Sequence, residues 1–274
     1  MKTIKLAAGA ALLLAAFSSA HAHRQWLLPS ATQVEGKEPW VTVDAAVSED
    51  LFDIGATAIK LDGLSITAPD CSQQTPEQIS SSKQRGSADI KLAKPGTYRI
   101  ALVNENAMAS YKLNGETKRW RGNPADLKKE VPAGATELSV STTRSRLETY
   151  VTAGKADLAV VNPTGSGLEL LPLSHPNEYL AGEPARFRFL LDGKPVPDLK
   201  VAIVPGGVRY RGVLKEVMAT TDANGEFTVT WPMAQMYWIN ASYPPRVQVP
   251  EGQPRPPMPA LRHNYGGTFE VLPQ

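Results

Sequence analysis

Apolar and polar residues alternate over short stretches of this chain, and nowhere does a 3.6-residue apolar spacing persist long enough for an amphipathic helix. The alternation predicts half-buried strands at residues 40–46, 96–103, 137–141 and 148–152. It resumes at 168–173, 185–191, 200–204, 213–221, 226–231, 236–243 and 267–272. Tight-turn signals at Asp192-Gly193-Lys194-Pro195 and Asp222-Ala223-Asn224-Gly225 punctuate the second set. Between the two sets, residues 162–167 are mostly turn formers and read as a linker.

One-sided alternation with frequent turns predicts an all-β protein of two tandem antiparallel β-sandwich domains, 23–161 and 168–274. About seven short strands in the second half make it immunoglobulin-like or transthyretin-like. The 23 prolines argue against long helices. Seven of them fall in residues 244–259, which therefore predict an extended surface loop instead of a central strand.

The N-terminus has a different pattern. A basic start (Lys2, Lys5) precedes an apolar run at 6–17 and then small residues to Ala22. That order predicts a secretory signal peptide over residues 1–22. The apolar run is shorter than the ~20 residues a membrane span needs. No other stretch approaches that length, so the product is expected to be soluble, without stable membrane insertion, and periplasmic. Cleavage after Ala22 leaves His23 first, and this is the site we favour. Cleavage after Ala20 also satisfies the small-residue rule and leaves His21-Ala22-His23.

With 42% hydrophobic and 20% charged residues, neither a disordered chain nor a polytopic membrane protein fits. Removing Lys2 and Lys5 equalises basic and acidic residues at 27, so no positive field remains to attract nucleic acid. The single Cys71 cannot form an internal disulfide. Phosphate loops, nucleophile elbows and H-E-x-x-H helices are missing from the sequence, which predicts a protein that is not an enzyme.

Histidine carries the candidate chemistry. A terminal His23 offers its α-amine and a ring nitrogen to one metal ion, and nitrogen donors suit transition metals such as Cu and Ni. With the alternative cut, the amine, two backbone amides and the His23 ring suit square-planar Cu(II) or Ni(II). His175, in a polar turn, and His263, near the last strand, are the other candidate ligands. Met233, Met236 and Met258 are thioether candidates, although Met236 beside Tyr237 and Trp238 reads as core. Trp26 is expected to anchor the first strand and so to steady His23. Trp120 and Tyr210, flanked by arginines, are candidate stacking surfaces.

The run His23-Arg24-Gln25-Trp26-Leu27-Leu28-Pro29 after the signal peptide, then Gly167-Leu168-Glu169-Leu170-Leu171-Pro172-Leu173 followed by His175-Pro176, resembles the DUF4198 family of exported bacterial proteins. Gly182-Glu183-Pro184, Asp192-Gly193-Lys194-Pro195 and Thr221-Asp222-Ala223-Asn224-Gly225 extend the resemblance over nearly the whole mature chain. It implies a periplasmic accessory role in nickel or cobalt uptake, with His23 and His175 at the matching positions. A membrane transporter or outer-membrane receptor is the partner such a role implies. The expected ligand is thus a transition metal ion (Cu, Ni or Co). Two other readings stay open: a non-catalytic binding module for an envelope protein or glycan, and a terminal-His copper oxidase.

Overall fold

A computed structural model describes residues 24–53, 57–245, 249, 253 and 256–274. The chain folds as two tandem antiparallel β-sandwiches, the second immunoglobulin- or transthyretin-like. Among the described residues, the first has a five-stranded outer sheet in the order Arg24–Pro29, Trp40–Ser48, Gly86–Lys91, Gln78–Ser81, with Thr57–Ala58 beside Trp40–Ser48. The second has a four-stranded outer sheet built on Pro184–Leu191, flanked by Leu168–Pro172, Lys194–Pro195 and Glu226–Thr230.

Both outer sheets pack on one long inner sheet of eleven strands. Its centre is Thr136–Ala153, which pairs antiparallel with Gly96–Leu113 and parallel with Leu261–Leu272. Gln235–Tyr243 and Lys200–Pro205 continue the sheet beyond Leu261–Leu272.

Period-2 geometry sorts the side chains of this central strand between two cores. Leu147, Val151 and Ala153 join Leu27, Val43 and Ile100 in the first sandwich. Tyr150 points the other way, into an aromatic cluster with Phe187, Trp231, Tyr237 and Phe269. The outer sheets therefore lie on opposite faces of the inner one, staggered along it. The half of Thr136–Ala153 nearest its C-terminus is covered on both sides and buried throughout.

Several elements differ from the sequence reading. Residues 137–141 and 148–152 belong to one strand, because Arg144 and Arg146 between them, and Glu148 at the start of the second, are held by charge partners within the sheet system. The 213–221 stretch gives only Val217–Thr220, preceded by a one-turn helix at Val208–Arg211 bracketed by left-handed glycines 207 and 212. The 162–167 linker is a fixed turn. Glu169 accepts hydrogen bonds from the Thr164, Gly165 and Ser166 amides and from the Thr164 hydroxyl. Gly165 and Gly167 supply the positive φ angles (76° and 74°) that the turn requires. Among the described residues, no helix is long and apolar enough to cross a membrane.

Candidate functional site

The face of the inner sheet opposite the second outer sheet is only partly covered. Strand register arranges its side chains in rows. Ser242, Asn264 and Ser145 lie side by side across three strands. Ala202, Asn240, Gly266 and Leu147 form the next row, and Val204, Trp238, Thr268 and Thr149 the row after it. The first row is the most polar. Trp238 and Val204 are sealed beneath Trp26, Ala46 and Leu51. The first two rows floor an open groove of about 250 Å3, with Arg24, Gln25 and Glu216 at its rim.

The groove's inner wall is the N-terminal strand. Arg24 pairs with Ser48 and donates from its guanidinium to the Glu49 carbonyl at 2.7 Å. Trp26 is wholly buried and its indole N–H donates to the Ser48 hydroxyl at 2.8 Å. The Trp238 indole N–H donates to the Gln25 carbonyl at 3.0 Å. Gly266 permits this approach, since a Cβ there would lie 3.1 Å from Trp238 Nε1 and 3.3 Å from the Gln25 oxygen. The chain is thus fixed from Arg24 onward. His23 itself lies outside the described residues.

The other two candidate ligands do not converge. The His175 Nε2–H faces the Thr97 hydroxyl at 2.9 Å and the Asp157 carbonyl at 3.1 Å, while Nδ1 accepts from the Asn177 amide at 3.3 Å. Both ring nitrogens are therefore engaged in a knot that also ties Thr97 to Thr152 and Asn177 to Thr32. His263 is buried beside Arg144, on the sheet face opposite the groove. Its Nδ1 has no hydrogen-bond partner. Burial pushes its pKa down and the Arg144 charge adds to this, so the ring is neutral, although Asp192 and Glu105 pull the other way. Thr152, the cross-strand partner of the Thr97 that His175 touches, and Arg144, the strand neighbour of His263, are eight residues apart on one strand, a span of about 26 Å. A shared site for His175 and His263 is excluded by that span. Among the described residues, no group of three or more His, Cys, Asp or Glu could hold a metal ion.

The remaining sequence candidates are scattered. Trp120 donates to the Glu130 carboxylate, and Tyr210 projects almost fully into solvent from the Val208–Arg211 turn. Cys71 is exposed. Met258 is exposed in the proline-rich loop. The groove residues Asn240, Ser242, Asn264 and Ser145 were not singled out from sequence. Around Asn240, Ser242 and Asn264 their signal was present as polar residues alternating with Ile239, Ala241 and Tyr265, a pattern that any wet sheet face also gives.

Residues 20–244 match the family model described as a domain of unknown function, DUF4198. The chain belongs to the DUF4198 family. No curated protein matches it. Among solved structures it is similar to the D0-D1 domain of Intimin, at 12% identity over 90% of this chain and 97% of that one, with a TM-score of 0.22. It is also similar to the FN1-FN3 domains of chicken CNTN1, at 8% identity over 81% and 93% of the two chains, with a TM-score of 0.18.

Proposed function

We propose that this DUF4198 protein is a periplasmic, non-catalytic accessory protein that binds one transition metal ion (Cu, Ni or Co) through His23. The observation that carries the reading is the fixation of Arg24. A residue bonded to an anchored strand end is held within one Cα–Cα step, about 3.8 Å, of a defined place at the groove rim. Cleavage after Ala22 gives that residue an amine and an imidazole, two donors on one side chain and backbone, so chelation costs little ordering. His175 and His263 take no part in this version of the site.

Native intact mass of the exported protein, with and without Cu(II) or Ni(II), tests the proposal. The apo mass fixes the first residue. One ion retained by a chain beginning at His23, lost in His23→Ala and kept in His175→Ala and His263→Ala, is expected. No retained ion on a correctly processed chain, or retention that follows His175 or His263, overturns it.

The groove favours a second reading, a binding module for an envelope component. Its polar floor offers hydrogen-bonding groups whether or not a metal sits at residue 23.

A further inference from the structure

We infer that the groove is a binding site for a polyhydroxylated ligand the size of one sugar ring. The inference deepens the binding-module reading and is independent of the metal. It rests on how the floor amides are held. Asn240 donates its Nδ2 to the Tyr265 carbonyl, which leaves Oδ1 as an acceptor with no partner among the described residues. Asn264 accepts the Ser242 hydroxyl on Oδ1 at 2.8 Å, which leaves Nδ2 as a donor with no partner among the described residues. The Ser145 hydroxyl makes no hydrogen bond among the described residues and can act either way. Two amides locked by internal hydrogen bonds thus present one fixed acceptor and one fixed donor, from diagonal positions on adjacent strands about 7–8 Å apart at Cα.

Neighbouring sugar hydroxyls each donate and accept, so a vicinal pair can satisfy that acceptor and that donor together. A carboxylate or phosphate would leave Asn240 Oδ1 facing negative charge, and an ammonium would leave Asn264 Nδ2 facing positive charge. Rim charge does not select strongly for either, since Arg24 and Glu216 have opposite signs. The second row supplies the complementary apolar surface. Ala202 lies beside Asn240 there, and the nearly buried Leu147 lies beside Gly266 at the other end of the row, both lining the groove. The volume of about 250 Å3 matches one ring and its hydration better than an oligosaccharide.

Saturation-transfer NMR tests the site, using the mature protein with glucose, N-acetylglucosamine, cellotetraose and chitotetraose, each at about 10 mM, a concentration suited to weak ligands. Transfer to at least one probe is expected, with affinity reduced about tenfold or more in Asn240→Leu and in Asn264→Leu. Ser145→Ala, a smaller change that spares packing, is expected to weaken binding by a few-fold. His23→Ala is expected to leave binding unchanged, which separates this site from the metal. Equal affinity for one ring and four identifies a free sugar as the ligand. Tighter binding of a tetrasaccharide identifies a chain end. No transfer from any of the four probes overturns the inference. So does transfer that persists unchanged in Ser145→Ala and in whichever leucine variants melt as the wild type does.

Discussion

Arg146 and Glu169 meet at 3.4 Å where the two sandwiches join, and both side chains are at least nine-tenths buried. The pair fastens the inner sheet to the turn at 162–167. Glu169 also accepts from three backbone amides and a hydroxyl there. Removing it takes the carboxylate from a buried Arg146, which keeps only its bonds to the Thr164 hydroxyl and the Ser166 carbonyl, and takes the acceptor from three turn amides. Glu169→Ala is therefore expected to destabilise by about 3–5 kcal/mol. Glu169→Gln should cost less, because the amide oxygen still accepts from part of the turn. Urea denaturation of the two variants measures the difference, and equal stability of Glu169→Ala and wild type would refute a structural role for the pair.

His175 is expected to behave as a structural residue. Its ring links Thr97, Asp157 and Asn177. Losing these partly buried contacts should lower stability by about 1–3 kcal/mol. Metal retention should be unaffected. A His175→Ala protein of wild-type stability that has lost its metal would reverse this assignment and restore the ligand role expected from sequence.

His263 gives a pH signature whose sign follows from its depressed pKa. The unfolded chain binds a proton near pH 6.5, whereas the buried ring in the folded state resists it. Between those two pKa values the unfolded state holds more protons, so stability rises with pH across that window. The contribution is complete above about 6.5 and is lost as pH falls through the folded pKa. Melting temperatures of wild type and His263→Gln between pH 5 and 7.5 test it. The wild type should lose ground to the variant on acidification, and parallel curves would show that the ring titrates normally.

The all-β architecture was legible because its strands alternate and its turns are punctuated by Gly, Pro, Asn and Asp. The continuous inner sheet was not. It depends on parallel pairing of Arg144 with His263 and of Thr149 with Thr268, contacts about 120 residues apart in the chain that no local pattern encodes. Residues 142–147, with Arg144 and Arg146, fall outside the strands that alternation predicts at 137–141 and 148–152. Ion pairs from Arg144 to Glu105 and from Arg146 to Glu169 let that stretch lie inside the sheet system instead. Histidines could be counted from the sequence. That His175 and His263 lie toward distant ends of one strand could not be read there.

Gly266 is the residue on which the groove's shape turns. A methyl group there would meet Leu147 Cδ2 at 3.0 Å, Trp238 Nε1 at 3.1 Å and the Gln25 carbonyl at 3.3 Å. Leu147 and Trp238 are buried and the Gln25 carbonyl is held by the Trp238 indole, so relief requires the N-terminal strand to lift or the indole to turn. Overpacking of this kind costs about 1–3 kcal/mol. The same shift stretches the hydrogen bond from Trp238 to Gln25 and moves Arg24, the neighbour of His23 in sequence. Gly266→Ala is thus expected to shift the Trp238 indole N–H resonance and to weaken whatever binds at the groove, while the second sandwich keeps its spectrum. A variant with an unmoved indole resonance and unchanged metal and sugar binding would show that the N-terminal strand is not the groove's controlling wall.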